Sequence, residues 1–512
     1  MFPVLKPRLG TLLLLLLLVV VAVGQSEASD DGFLTPEEPF ITLSSDAPAG
    51  SMVKAIISSG EELGDFTFEG IPDGIGIAPG PMPGTIDVYV NHEQSTVPFR
   101  SAADFQDASV SKLTLSTAPG PNLGAVLDAS VAISADDGFI RFCSAFMAGP
   151  DEGFEHYTFI TGEESNDIID VPAGAPYGPD PALGGQRQAG YAVTLDTATG
   201  ESTVIPGLGR LNHENTVVVP GGWNQLALLT TDDTFNAPSA QLYLYLANHE
   251  SHITEDKGSL WAFRVTRTEE GAVNATDAFN GANDYLDLQP GDEWQGEFVR
   301  VPKKIARGLT GEAPQDALEN WSNDNNIFQF IRLEDLAYDR GNNRVVYIAD
   351  TGRTRIVPDP ETGRMTRGPG GTVGQADNGR IFKMEFNENN PRKVDSFSVL
   401  ADADAPESDV YVPFVNPDNM ETSRASLMVQ EDADDARIWR HDFASGSWNV
   451  VAMVNDEDWE SSGIVDASSW IGEGWWLLDV QGHGTNVDEE IVDEILLKRE
   501  SGQLLLMYIP GS

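Results

Sequence analysis

Glycine, proline, asparagine and aspartate interrupt almost every apolar run of this 512-residue chain within a few positions, and no long stretch keeps a helical period. The runs at 86–90, 192–195, 241–247, 259–265, 380–386, 426–430, 437–441, 474–480 and 502–509 read as strands. Short strands with turn residues between them define an all-β fold. The pieces recur as strand, acidic or histidine-bearing turn, strand. A four-stranded unit repeated in that way closes radially, so the expected architecture is a β-propeller of six irregular blades with loop insertions, its loops gathered around a central channel. A large sandwich is the competing architecture. Residues 306–321 are a short helix or an inserted loop, with Gly308 and Pro314 as breakers.

Lysine and arginine total 31 against 80 aspartates and glutamates, a formal charge of −49. Such a field repels nucleic acid and anionic membrane alike, and neither is expected as a partner. It favours divalent cations if some of the acids converge, whereas a solvated acidic surface serves solubility alone. Cys143 is the only cysteine, so no intrachain disulfide exists. Residues 1–28 read as a secretory signal: Lys6 and Arg8 precede an apolar run at 12–23, with small residues for cleavage after it. Residues 29–51 read as a poorly ordered acidic leader, and 52–512 as one propeller domain. No later run is long and apolar enough to cross a bilayer, so the expected protein is secreted or periplasmic, free of the membrane after cleavage, and monomeric.

The stretch 330–350 reads as a hairpin. Leu333, Leu336 and Tyr338 build one strand, residues 340–343 turn, and Val345 to Ala349 return as a continuous apolar strand. Within it, alternation puts Arg332 and Glu334 on one face and Asp335 on the other. An arginine fork beside a carboxylate suits a phosphate on metal ions; an exposed cross-strand ion pair is the plainer alternative.

Three of the seven histidines stand in one triplet, Asn91-His92-Glu93, Asn212-His213-Glu214 and Asn248-His249-Glu250, each beside a strand. A fourth, His483, follows the strand at 475–478. A glutamate presented at a strand end supplies a hard oxygen ligand, with the neighbouring histidine or asparagine fixing it; a repeated structural turn is the alternative. Cys143 and the pair Glu163-Glu164 end neighbouring strands of a second hairpin. Thiolate with carboxylates suits a transition metal beside a harder ion. Pro417-Asp418-Asn419, with Glu431-Asp432 beyond the next strand, brackets that strand with acids. No nucleophile elbow, phosphate-binding glycine-lysine loop, dinucleotide fingerprint or helical His-Glu-x-x-His occurs.

Taken in order, Gly70 to Gly76, Asn91-His92-Glu93, Cys143 with Thr161-Gly162-Glu163-Glu164, Leu208-Gly209-Arg210 with His213-Glu214, Arg332-Leu333-Glu334-Asp335, Asn416-Pro417-Asp418-Asn419 and Gln481-Gly482-His483-Gly484 resemble the PhoX family of secreted alkaline phosphatases. The resemblance implies a propeller that hydrolyses small phosphate esters at a cluster of iron (Fe3+) and calcium (Ca2+). It implies Cys143 as an iron ligand and Glu163, Glu164 and Glu214 as carboxylates holding the cluster. Arg332 and Glu334 then stand at the phosphate, with Asp418 and Asn419 as metal or substrate contacts. Glu93, Glu250 and His483 join the site more loosely. The sequence departs from the family pattern in lacking an Arg-Arg export signal, in having no tryptophan between Met147 and Phe159, and in placing Leu333 between Arg332 and Glu334 where relatives carry proline. A calcium-dependent lactonase or esterase, or a binding propeller without catalysis, are the competing functions. Convergence of Cys143, Glu163, Glu214 and Arg332 in one channel is the feature that separates the phosphatase from the last of these.

Overall fold

The computed structural model describes residues 32–93, 108–234, 240–277, 280–492 and 495–512. The sheets are antiparallel meanders arranged as in a propeller. The first runs outward through Pro72–Pro79, Thr85–His92, Ser109–Ser116 and Val126–Ile133. The inner strands of the successive meanders are Pro72–Pro79, Phe142–Ala148, His213–Val218, Leu333–Tyr338, Pro417–Thr422 and Glu460–Asp466. Each packs against the next and the last against the first, so they form a closed ring around a channel. All nine runs read as strands lie on strands of these sheets.

Strands with both faces covered read as unbroken apolar runs rather than alternating ones. That is why Val345–Asp350 is buried at every position. The faces of adjacent meanders meet through aliphatic and aromatic side chains. Ile75, Val88 and Leu113 of the first meander pack with Leu477 and Leu504 of the last. Phe263, Phe330, Phe382 and Phe397 fill the join between the third and fourth. Each such burial is favourable by roughly 1.5–3 kcal/mol relative to exposure.

Sheets and meanders do not correspond one to one. Trp294–Arg300 pairs with Ser259–Thr268 on one side and with Asn390–Asp402 on the other, which fuses the third and fourth meanders into a single ten-stranded sheet.

The acidic leader expected at 29–51 is corrected over its described part. Phe33 bridges to Val126, and Ile41–Leu43 pairs with Trp448–Val454. The reason is that Phe33, Phe40 and Ile41 punctuate the acids at positions where an open sheet edge takes them up; the Phe40 ring lies 4.5 Å from Trp459. The region at 306–321 resolves into two helices, Lys303–Ala306 and Pro314–Asp324, broken at Gly308, whose φ of 64° is left-handed. Among the described residues no helix is long and apolar enough to cross a membrane. The signal sequence read at 1–28 lies outside the described residues.

Candidate metal and phosphate site

In each meander the inner strand leaves one end of the channel and the second strand returns to it. Two positions per meander therefore face that mouth: the start of the inner strand and the residue after the second strand. The first kind supplies Asp73, Cys143, Glu214, Glu334, Asp418 and Glu460; the second supplies Glu93, Glu164 and Asp432. With Arg141, Arg332, Gln481 and His483 they line a cavity of about 210 Å³. A register shift falls near the mouth in every inner pair, between Pro72 and Ile75, Thr161 and Glu163, His213 and Thr216, Leu333 and Leu336, Pro417 and Met420, and Ser462 and Ile464. Bulges of this kind re-aim side chains, and here they turn acids inward from otherwise apolar strands.

Three overlapping groups place their ligand atoms within 4.8 Å of one another: Asp73, Glu93 and Cys143; Cys143, Glu164 and Glu214; and Glu214, Glu334 and Asp418. Cys143 and Glu214 each belong to two groups, so the donors form one continuous chain across the mouth. The Cys143 thiol lies 3.2 Å from Asp73 Oδ2, and Gln481 Nε2 donates to Asp73 Oδ2 at 2.9 Å and to Glu93 Oε1 at 3.1 Å. Arg141 stands 3.8 Å from Glu93 and 3.6 Å from Glu164. Asp73 Oδ1, Glu334 Oε1 and Asp418 Oδ1 are buried without a hydrogen-bond partner.

Burial, reinforced by neighbouring carboxylates, raises the pKa values of Asp73, Glu164, Glu214, Glu334 and Asp418 well above the usual carboxylate range. The same two causes push the Cys143 thiol up. Hard oxygens with buried lone pairs, joined by one sulfur, fit cations: carboxylates suit calcium, and a thiolate selects a softer transition metal.

Arg332 occupies one side of the mouth. Its Nε and Nη2 donate to Asp233 at 3.0 and 2.8 Å, and Nη2 lies 3.3 Å from Glu334 Oε1, an ion contact without hydrogen-bond alignment. Burial works against its charge, but Asp233 and Glu334 more than offset this and hold the guanidinium firmly protonated. Asp350 fixes the backbone beneath it, accepting the amides of Ile331 at 2.9 Å and Arg332 at 3.2 Å. Asp335 faces away, accepting from Asn215 on one neighbouring inner strand and from the Met420 amide, at 2.8 Å, on the other. The alternation expected for 332–335 therefore holds. On the far side, burial opposes protonation of His483, but hydrogen bonds with Glu460 and Glu500 prevail and lift it to about 11.

Three expected site residues are elsewhere. Glu163 is wholly buried one position short of the mouth, where strand alternation turns it outward to Arg187 at 2.6 and 2.7 Å and to the amides of Ile140, Gly190 and Tyr191. Glu250 follows the third strand of its meander, Leu242–Ala247, which ends at the opposite side of the ring; there it accepts the Glu155 amide at 2.7 Å. Asn419 lies behind the cavity, donating to Ser144 Oγ at 2.7 Å and accepting from Ser462 at 3.0 Å, while Ser144 donates to Glu214 at 2.6 Å. It orients Glu214 through Ser144 rather than touching the cavity. The histidines of the first two triplets are framework. Burial pushes His92 down to about 3 and His213 down to about 4, and they bond Ser111 and Thr230.

Asp73, Arg141, Asp233, Asp432 and Glu460 were not assigned to the site from sequence. The signal that would have found four of them is positional: an acid opening an inner strand or following a second one.

No curated protein sequence matches the chain significantly. The Pseudomonas fluorescens PhoX structure in complex with vanadate, a transition state analogue, is similar at TM-score 0.59 and 14% identity, covering 93% of this chain and 98% of that one. The NanB sialidase of Streptococcus pneumoniae (TM-score 0.36, 7% identity, 87% and 70% covered) and the hydrazine synthase of Kuenenia stuttgartiensis (0.33, 9%, 82% and 96%) are more distant. The family profile described as alkaline phosphatase PhoX matches residues 157–457. The chain belongs to the alkaline phosphatase PhoX family.

Proposed function

We propose that this protein is an exported phosphatase that hydrolyses small phosphate monoesters at a cluster of iron and calcium ions in the channel mouth. The observation that carries the reading is the meeting, in one cavity, of an unbroken chain of seven donors from Asp73 to Asp418 with the Arg332 guanidinium. Asp73, Glu93, Cys143, Glu164, Glu214, Glu334 and Asp418 would hold the cations. The chemistry such cations supply when bound is neutralisation of phosphoryl charge and acidification of a water.

The residues of the chain do the rest. Arg332 receives two phosphoryl oxygens with a fork that Asp233 has already oriented, so little ordering remains on binding. Its charge grows in value as negative charge gathers on those oxygens in the transition state. Glu334, 3.3 Å away, keeps the fork beside the donor chain. The protonated His483 offsets part of the carboxylate charge at the opposite wall.

Elemental analysis by plasma mass spectrometry of the unstripped protein, paired with p-nitrophenyl phosphate turnover on the same sample, tests this. Iron together with calcium, and activity lost on chelation, is the expected result. Calcium without iron reduces Cys143 to a core thiol and favours the lactonase; a folded, metal-loaded protein without turnover from neutral to alkaline pH sinks the hydrolase.

A further inference from the structure

The second strand of the fourth meander ends at Asp350, and the chain rejoins that sheet only at Arg380. The segment between carries a small hairpin, Ile356–Pro358 paired with Met365–Arg367. It is tied at its base: the Arg353 amide donates to Ala376 O at 2.8 Å and the Gln375 amide to Ile356 O at 2.9 Å. It leaves the sheet beside the phosphate fork, since the Thr351 amide donates to Arg332 O at 3.0 Å and Asn416 Nδ2 to Thr351 O at 2.7 Å. Residues 351–353 therefore run alongside Arg332.

In a chain of charge −49, this segment carries Arg353, Arg355, Arg364 and Arg367 against only Asp359, Glu361 and Asp377. Arg364 feels the opposing charges of Asp284 and Asp287, although its Nε and Nη2 make no hydrogen bond. The other three gather. Burial first, then the charges of Arg367, Arg332 and Arg355, weaken the hold of Arg353 on its proton, while Asp233 opposes them. Arg353 Nη1 is buried without a hydrogen-bond partner, and among the described residues Arg353 forms no ion pair. An unpartnered buried donor is costly, and one on a guanidinium surrounded by guanidiniums calls for an anion. The phosphatase reading gives the phosphoryl group to Arg332 and the donor chain, which leaves Arg353 for an anion elsewhere on the substrate.

We propose that Arg353, with Arg355 and Arg367 at the rim, binds a second anionic group on the leaving-group side, so that the site prefers phosphomonoesters whose alcohol carries a carboxylate or another phosphate. The inference rests on the phosphatase reading and names its substrate class. It also answers an electrostatic difficulty, because a strongly anionic protein repels doubly and triply charged esters unless a local cationic lip admits them.

The test compares 3-phosphoglycerate with glycerol 3-phosphate, which differ by a carboxylate in place of a hydroxymethyl group, on the metal-loaded protein. The wild type is expected to favour phosphoglycerate in kcat/KM. Arg353→Ala should cut that preference about tenfold, the worth of one charge-assisted hydrogen bond, chiefly through KM. Arg367→Ala, at an exposed position that does not endanger folding, should cut it less, by about threefold. A preference that is absent from the wild type, or unchanged in both variants, overturns the proposal. Loss of turnover on both esters in the wild type instead defeats the phosphatase reading. Calorimetric affinities of the two esters then still decide the arginines' role, equal values overturning it and a tighter phosphoglycerate supporting it.

Discussion

Asp233 grips Arg332 from behind, with Nε at 3.0 Å and Nη2 at 2.8 Å from its two carboxylate oxygens. The fork is thus aimed before any substrate arrives. Arg332→Ala is expected to lower kcat/KM for p-nitrophenyl phosphate by about 10²–10³-fold with metal content unchanged. Arg332→Lys should recover little, because an ammonium cannot make the paired contact. Asp233→Asn should cost about tenfold through misorientation alone. Steady-state kinetics with parallel elemental analysis decides; full turnover in a metal-replete Arg332→Ala variant would end the proposed role.

Glu163 and Glu164 are neighbours with opposite duties. Glu163 neutralises Arg187 where both side chains are fully buried, so Glu163→Ala should destabilise the fold by about 3–5 kcal/mol. Glu164→Gln should leave the melting temperature of chelated protein nearly unchanged and lower the metal retained through purification. Thermal unfolding of stripped protein and metal analysis of unstripped protein, made on both variants, separate the two; metal loss in folded Glu163→Ala would return Glu163 to the cluster.

Cys143 is the only soft donor on the chain of ligands. Cys143→Ser is expected to retain calcium and hold less iron, because the substitution removes the one thiolate that favours a transition metal over calcium. In the native protein the thiol should resist aromatic disulfide reagents and react fully on unfolding, being 8% exposed with its pKa raised by burial. Metal ratios and thiol titration check both halves.

Asp284 offers a pH signature away from the cavity. Burial first, then the charge of Asp287, raise it to about 6, while the Met365 amide opposes. A carboxyl raised in the folded state binds more protons there than in the unfolded chain, so its contribution to stability falls as pH rises from the unfolded value toward and past about 6. Asp284→Asn removes that loss. Relative to the parent, the variant should be more favourable at pH ~7 than at pH ~4 by roughly 3 kcal/mol at most. Denaturant unfolding of both proteins at the two pH values measures it; an equal difference at both would show that Asp284 does not titrate in this way.

Strand positions were legible because turn residues bound every run, and so was the propeller arrangement. The site was legible where an acid sits at an obvious strand end, as in Glu93 and Glu214. It was misread where the end was the wrong one. Asn248-His249-Glu250 repeats the letters of the other triplets, but a third strand delivers them to the far side of the ring, and strand order is not written in a triplet. Glu163 was misread because a bulge decides which of two adjacent glutamates faces inward, and no residue at 161–164 announces it. Asp233 and Glu460 were passed over because their meaning lies in position within a meander.

The first described strands have a consequence for how the molecule is made. Thr42 bonds to Asn455, 413 residues later in the chain, and Met52–Ser58 waits for Ile495–Tyr508. The earliest part of the ring to leave the ribosome is therefore among the last to find its partners. Until then two sheet edges stay open, and pairing over such separations is slow. Closing the ring joins segments from the two ends of the chain, and Asp73 and Glu460, acids of the first and last meanders, line one mouth only in the closed ring. The donor chain is complete from Asp73 to Asp418 only when the first meander has taken its place in the circle.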